Sequence, residues 1–265
     1  MSGSSEALRT PTGCGLPAAV AVDLEAAGLD LAGVLSVERY DAMVPPLWRS
    51  TLLQSGARSV VVLACGGRSF ERALEATPHA EEGPHPVDAF ARIHAERAAH
   101  ALALLGHPTR ALFYWQSLSS DDAAADSAGF ADFVALARAA GLGEPGRLRV
   151  LLHPEFGPWM AIRALLLSTL ALEPTPPLSA FEPCVGCHAP CASACPGGAL
   201  DLGRLDLGTC LETRERVREC ETACVARRAC VIGNSHAYSP HWEAHFTRSS
   251  LRSAQSMKRK AQLPG

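Results

Sequence analysis

The chain has no apolar run of the roughly 20 residues that a membrane-spanning helix requires. Its longest apolar stretch, Trp159–Leu172, is shorter and is interrupted by Arg163. The segment Met1–Leu16 contains neither an apolar signal core nor a twin arginine. These absences predict a cytoplasmic protein that has no membrane as a partner.

An excess of positive charge is missing as well. The 265 residues include 24 Lys and Arg against 27 Asp and Glu, which gives a formal net charge of −3. Such a balance argues against a nucleic-acid binder that relies on overall charge. With 48% hydrophobic and 19% charged residues, the composition is typical of a globular protein with a real core.

Helix and strand patterns alternate over the first two thirds of the chain. Helices are predicted at 16–28, 87–106 and 126–140, and strands at 31–37, 59–65, 111–115 and 149–153. The strand at 59–65 is the clearest, because a β-branched run is closed there by two glycines. Periodicity assigns the segment 159–172 to neither type, because it is apolar throughout. The alternation predicts a layered α+β or mixed α/β domain over residues 1–173.

The rest of the chain differs sharply in composition. Residues 174–183 are proline-rich and are predicted to be a linker, because adjacent prolines cannot continue regular structure. A cysteine-rich segment follows at 184–235, and a histidine-containing basic tail, predicted to be solvated, occupies 236–265. Eight of the ten cysteines fall in the cysteine-rich segment. In a cytoplasmic chain such crowding favours metal or cluster binding over disulfides.

The first four of these cysteines follow the spacing C-x2-C-x3-C-x3-C-P, which ends at Pro196. Bacterial ferredoxins use C-x2-C-x2-C-x3-C-P, in which the fourth cysteine binds a different cluster from the first three. That pattern requires a second set of ligands, which the chain supplies further on. We therefore predict two [4Fe–4S] clusters, the first on Cys184, Cys187, Cys191 and Cys230, the second on Cys195, Cys210, Cys220 and Cys224.

Two other uses of eight cysteines compete with this prediction. Structural zinc on two four-cysteine sites is the main competitor, since thiolates at short spacing bind Zn²⁺ well. The Cys-Pro ending and the four-then-four count favour clusters over zinc, and the predicted compartment disfavours a disulfide framework. Cys65 ends an apolar strand and is predicted to be an inert buried thiol.

Three stretches of the sequence resemble the epoxyqueuosine reductase family. They are Gly56–Leu63, the Gly141–Gly143 turn with Leu151–Trp159 after it, and the cysteine run with Cys210. This resemblance implies a nitroreductase-like, cobalamin-binding N-terminal domain followed by a two-cluster ferredoxin-like domain, as in the similar reductive dehalogenases. In those proteins electrons pass through the clusters to the cobalt, which reduces the substrate. The resemblance also implies a ferredoxin or flavodoxin as electron donor and a small molecule or a corrinoid as ligand.

The resemblance also points to individual residues. It suggests Asp126 as a catalytic proton donor, although an aspartate there also suits a helix N-cap. It suggests that His153 binds the cofactor, although the ring could instead satisfy the backbone of its own turn. At 144–148 the chain reads Glu-Pro-Gly-Arg-Leu, where the family has an aromatic residue and then Gly-Lys-Asn/His. The family's C-terminal helical-repeat domain is absent, so tRNA is not expected as a substrate.

Two functions remain open from the sequence. One is an oxidoreductase that relays single electrons to a cofactor or substrate site in residues 1–173. The other is a non-catalytic, ferredoxin-like electron carrier with a degenerate N-terminal domain. The altered segment at 144–148 motivates the second, because that segment lies near the cofactor in the family.

Overall fold

The computed structural model describes residues 10–80, 85–116, 129–178, 180–201 and 204–262. Contacts divide the chain into a first unit, Met1–Gly143 with Met160–Ser179, and a second unit, Glu144–Trp159 with Ala180–Gly265. The helices and strands in chain order are α1 Ala18–Ala26, β1 Leu31–Ser36, α2 Val37–Met43, α3 Ser50–Leu53, β2 Ser59–Gly66, α4 Ser69–Ala76, α5 Pro86–Leu104, β3 Thr109–Leu112, α6 Phe133–Ala139, β4 Glu144–Pro145, β5 Leu151–Leu152, β6 Met160–Ser168, α7 Pro190–Ala194, β7 Leu200–Asp201, β8 Arg204–Leu205, α8 Leu207–Arg216, α9 Arg218–Thr222, α10 Val225–Arg228 and α11 Pro240–Gln262.

The first unit is built on a four-stranded antiparallel sheet in the order β1-β2-β6-β3. Every residue of β2 is buried, as expected for a β-branched strand with neighbours on both edges. Helix α5 packs against β3 and β6, and α1 packs against α5. The α+β class predicted from the sequence is therefore confirmed for this unit.

The segment that periodicity does not assign forms β6, the other central strand. Its sequence, MAIRALLLS, has little β-branching, and most of its residues are buried. A strand covered on both faces shows no alternation of polar and apolar residues, so its sequence resembles that of a buried helix. Position in the sheet, rather than local propensity, makes this segment a strand.

A register shift places a charged side chain inside the first unit. Leu63 pairs with Ala164 and Ala64 pairs with Ile162, so Arg163 is the extra residue of a β-bulge. Arg163 is buried, and its Nε donates to the Cys65 sulfur at 3.2 Å. Burial raises the pKa of the Cys65 thiol, and the Arg163 charge offsets part of that rise. The prediction that Cys65 is buried is confirmed.

The second unit consists mainly of short helices. Helix α8 begins at the N-cap Asp206, whose carboxylate accepts the Thr209 amide at 3.0 Å and its hydroxyl at 2.8 Å. Helix α11 packs against α8 and α9 and buries Trp242 and Glu243. The basic tail thus differs from the expected solvated segment, because one face of α11 carries aromatic residues that pack on the unit.

The remaining helices and strands are of the type that the sequence predicts, but their lengths differ from the predicted ones. The helices predicted at 16–28 and 87–106 are confirmed as α1 and α5, whereas the strand predicted at 149–153 is only the two-residue β5. Residues 144–159, which the sequence pattern places in the first domain, pack with the second unit. Within the described ranges no helix is both long enough and apolar enough to cross a membrane.

Candidate functional site

Four cysteines from two distant stretches of the chain line one cavity of the second unit. Three come from the segment around α7, and the fourth follows α10. The same cavity is bordered by apolar side chains, among them Leu148, Leu152 and Ile232. The four cysteines are Cys184, Cys187, Cys191 and Cys230. They are the four residues that the sequence assigns to the first cluster.

An unusual backbone conformation occurs in the first cysteine loop, between Cys187 and Cys191, where the spacing is one residue longer than in bacterial ferredoxins. Ala189 is left-handed, with φ 57° and ψ 48°, and directly precedes Pro190 and helix α7. The Ala192 amide donates to the Ala189 carbonyl at 2.9 Å, so the helix starts at this residue. The reversal at Ala189 places Cys191 in the first turn of α7, where it is buried.

The segment 144–148 contributes directly to the surroundings of this cavity. The backbone N–H of Arg147 donates to the Cys184 sulfur at 3.3 Å. Gly146 lies beside it, and a Cβ on Gly146 would stand 2.4 Å from the Leu152 Cδ1 atom. The departure from the family sequence therefore falls on residues that contact a predicted cluster ligand. Sequence reasoning missed this contact, since 37 residues separate its partners.

The thiols of this group influence one another electrostatically. Burial raises the pKa of Cys191, and the charges of Cys184 and Cys187 raise it further. Burial also raises the pKa of Cys230, with added contributions from the same neighbours and from Cys191. Crowded, buried thiols of this kind are the environment that a multivalent metal centre relieves.

The other four cysteines form a second group. Cys210 lies in α8, Cys220 lies in α9, and Cys224 is the N-cap of α10. Burial raises the pKa of Cys220, and the charges of Cys224, Cys195 and Cys210 raise it further. Burial raises the pKa of Cys210 as well, although the Arg214 charge counteracts the rise. The charges of Cys195 and Cys224 thus act on both helical cysteines.

A close backbone approach brings the loop after Cys195 onto α8. A Cβ on Gly197 would stand 1.9 Å from the Thr213 hydroxyl oxygen, so only glycine fits there. The Thr213 hydroxyl donates to the Thr209 carbonyl at 2.7 Å and is fixed in place. This contact holds the end of the first cysteine run against the helix that carries Cys210.

Helix α10 connects the two groups and carries two anchored arginines. The Arg227 guanidinium lies 4.6 Å from the Trp159 ring centroid and 4.9 Å from that of Tyr238, and it donates to the Pro158 carbonyl. Arg228 donates to the buried carboxylate of Glu243. The two residues tie the segment between Cys224 and Cys230 to the rest of the second unit.

The residues suggested by the resemblance have different outcomes. Asp126 lies outside the described residues, so its role stays a prediction. The Nδ1 atom of His153 accepts the amides of Glu155 at 3.2 Å and Phe156 at 3.3 Å. That ring therefore satisfies its own turn, as the alternative interpretation expected, and its role toward a cofactor stays a prediction. His236 lies 3.8 Å from the Glu155 carboxylate and stacks edge-on with Phe156.

No group of three or more His, Cys, Asp or Glu residues that could hold a single metal ion is found in the part of the chain that the structure describes. A [4Fe–4S] cluster uses its four cysteines differently, because each thiolate binds a different iron atom. The fit of a cluster to these cysteines therefore depends on the chemistry of the groups that surround it. Four thiols, one backbone N–H donor to sulfur and an apolar border fit such a cluster.

No protein-family model matches the chain, and no curated protein sequence matches it. Solved structures do resemble it. The epoxyqueuosine reductase from Streptococcus thermophilus superimposes with a TM-score of 0.52 at 14% identity, covering 82% of this chain and 65% of that one. An epoxyqueuosine reductase with a modified tRNA-Tyr stem loop gives 0.53 at 16% identity, covering 85% of this chain and 67% of that one.

A catabolic reductive dehalogenase in complex with 3-bromo-4-hydroxybenzoic acid is also similar. Its TM-score is 0.52 at 17% identity, and the match covers 96% of this chain but only 38% of that one. The chain thus spans about two thirds of the reductases' length and much less of the dehalogenase's. At these identities the likeness establishes the fold, and the resemblance inferred from the sequence is confirmed at that level.

Proposed function

We propose that the chain is an iron–sulfur oxidoreductase. The second unit would hold two [4Fe–4S] clusters, each on one of the two cysteine groups. When bound, the clusters would supply one-electron transfer, with potentials set by charge, hydrogen bonds and burial. The electrons would reach a cofactor or substrate site in the first unit, and a ferredoxin or flavodoxin would be the donor.

One observation carries the proposal. Cys184, Cys187 and Cys191 share a cavity with Cys230, which lies far along the chain and comes after all the other cysteines. A ferredoxin-type run leaves its fourth cysteine, here Cys195, for a different cluster, so a distant residue must complete the first set. The position of Cys230 in this cavity supports the proposal, because it could complete the first set. Two zinc sites, each built from the cysteines of one stretch, would not need a ligand from the other stretch.

The chain's own residues would give the two groups different surroundings. Around the first group, Leu148, Leu152 and Phe181 contribute to an apolar cluster that limits access of water. The Arg147 N–H would stabilise the charge on the Cys184 sulfur. Around the second group, the Arg214 charge lies close to Cys210 and would stabilise negative charge there, since it lowers the pKa of that thiol. These features would support two different potentials, as a directional electron path requires.

The similar structures supply a reaction class for the proposal. Those proteins are epoxyqueuosine reductases and reductive dehalogenases, and one reductive dehalogenase structure suggests a mechanism for B12-dependent dehalogenation. By analogy we propose a reduction in the first unit, with cobalamin as its cofactor and a small molecule as its substrate. Asp126 would be the proton donor.

A non-catalytic electron carrier is the second candidate. The segment 144–148 departs from the family sequence and packs within the second unit, where Arg147 contacts a predicted cluster ligand. In a carrier this segment would serve the clusters alone. A carrier would form both clusters and exchange electrons, but it would bind no corrinoid.

The test is anaerobic purification followed by iron and sulfide analysis, low-temperature EPR and a cobalamin titration. We expect about eight iron and eight acid-labile sulfide per chain, because each of two clusters contributes four of each. A spectral shift on adding hydroxocobalamin would support the oxidoreductase over the carrier. Stoichiometric zinc without sulfide, even after reconstitution, would refute both. A chain with Cys184, Cys187 and Cys191 replaced by serine keeps the second group, so iron above about four per chain in that variant is unspecific.

A further inference from the structure

Glu243 is a buried carboxylate in a segment that the sequence marks as a basic tail. Its side chain is 2% exposed. A carboxylate in such a place is costly unless charged or hydrogen-bonding groups surround it. Glu243 has two such partners, one on each oxygen. Its Oε1 accepts the backbone N–H of Cys224 at 3.3 Å, and its Oε2 accepts Nε and Nη2 of Arg228 at 2.8 and 2.6 Å.

The two charges of this ion pair differ in their contact with Cys224 and in their exposure to water. The carboxylate oxygen contacts the cysteine backbone directly, while the guanidinium binds the opposite oxygen. The Arg228 side chain is 51% exposed, so water screens its charge, whereas the buried carboxylate is poorly screened. The ion pair as a whole therefore presents a negative field to the Cys224 side of α10.

We infer that Glu243 is a positioning residue that lowers the reduction potential of the cluster proposed on Cys195, Cys210, Cys220 and Cys224, and that Arg228 limits the effect. The inference rests on the proposed function. Reduction adds an electron to the cluster, and a nearby unscreened negative charge makes that addition less favourable. The carboxylate also accepts the backbone N–H of Cys224, which is then not available as a donor to a cluster sulfur. Hydrogen bonds from N–H groups to the sulfur atoms are among the factors that set the reduction potential.

Two substitutions separate this electrostatic role from a structural one. Glu243→Gln removes the charge and keeps an oxygen that can accept the Cys224 N–H, so the cluster should become easier to reduce. Arg228→Gln leaves the carboxylate without its counter-charge, so the cluster should become harder to reduce. A residue that only maintained the packing of α11 on α9 would not give shifts of opposite sign.

The experiment is an EPR-monitored redox titration of the anaerobically purified full chain. The signal of the second cluster is identified by its loss in the Cys220→Ser protein. At a fixed potential we expect the reduced-to-oxidised ratio of that signal to rise about tenfold in Glu243→Gln, which corresponds to about 59 mV for one electron. The ratio should fall in Arg228→Gln. Glu212→Gln is the matched control, because it removes an equal charge from an exposed ion pair of α8 and should leave the ratio unchanged.

Shifts of the same sign in the two variants, no shift in either, or an equal shift in Glu212→Gln would overturn the inference. If Glu243→Gln does not assemble the second cluster, the Arg228→Gln protein decides alone: a lower ratio supports the inference, and an unchanged or higher ratio overturns it. Wild-type protein that forms no clusters would instead refute the proposed function. The two failures are therefore distinguishable.

Discussion

Gly157 and Gly233 pass each other so closely that neither position has room for a side chain. A Cβ on Gly157 would stand 2.1 Å from the Ile232 carbonyl oxygen, and a Cβ on Gly233 would stand 2.3 Å from the Phe156 carbonyl. Both residues also have positive φ, 54° and 72°. The contact joins the turn of His153 to the chain immediately after Cys230, and so holds the fourth cysteine of the first group in place.

Gly233→Ala should destabilise the second unit strongly. The left-handed conformation alone costs an alanine about 1 to 2 kcal/mol. The collision with backbone atoms, which cannot move aside like a side chain, should add about 1 to 3 kcal/mol. Anaerobic denaturant unfolding measures the loss. Gly198→Ala is the control, since Gly198 has φ 62° and a Cβ added there would have nothing within 4 Å. Equal losses in the two variants would show that the close approach is unimportant.

Ala189 is an example of backbone strain that the chain tolerates. An alanine in the left-handed region is less favourable than glycine by about 1 to 2 kcal/mol. Glycine relieves this strain, but it also makes the unfolded chain more flexible, which offsets the gain in stability by about 0.4 to 1 kcal/mol. Ala189→Gly should therefore raise the free energy of unfolding slightly, by up to about 1.5 kcal/mol.

The comparison of Ala189→Gly with Ala192→Gly tests this prediction. Ala192 lies inside α7, where glycine should cost about 0.5 to 1 kcal/mol. Opposite signs of the two effects, measured by denaturant unfolding, are expected. A destabilised Ala189→Gly protein would mean that this loop does not keep the left-handed conformation in solution.

The sequence predicted the strands with the strongest local signal and missed those defined by their neighbours. In β2 a β-branched run between glycines was sufficient, and the strand was predicted correctly. In β6 the leucine-rich sequence fits a helix or a strand, and only pairing with both β2 and β3 decides between them. Non-local pairing of this kind leaves no periodic pattern in the sequence.

The candidate site shows the same division. Cysteine spacing predicted the two sets of four, because ligand chemistry restricts residue type and separation, and the assignment of these cysteines as cluster ligands stays a prediction. The contacts of Arg147 with Cys184 and of Glu243 with Cys224 join residues far apart in sequence, and neither carries a motif. One signal was available in the tail: Tyr238, Trp242 and Phe246 recur every four residues, which is typical of a helix face that packs.

Arg227→Lys should weaken the second unit although the charge is kept. Lysine retains a cation near Trp159 and Tyr238 but loses the planar stacking and the forked donation to the Pro158 carbonyl. We expect a loss of about 1 to 3 kcal/mol, from a partly desolvated cation–π contact and a hydrogen bond. Arg216→Lys, at an exposed position of α8, is the control and should change stability by less than about 0.5 kcal/mol. If the losses of stability in the two variants differed by less than about 0.5 kcal/mol, the role given to Arg227 would be wrong.

Cys191→Ser and Cys195→Ser should remove different clusters, although only three residues separate the two cysteines. Cys191 shares its cavity with Cys184, Cys187 and Cys230, whereas the Cys195 charge raises the pKa of Cys210 and Cys220 in the second group. Each variant should lose one EPR signal, together with up to about four iron and four sulfide, and keep the other signal, because each thiolate binds one cluster only. The signals that remain should differ between the two proteins. If both variants lost the same signal, all four cysteines of the first run would bind one cluster, and the exchange of Cys195 and Cys230 between the groups would be wrong.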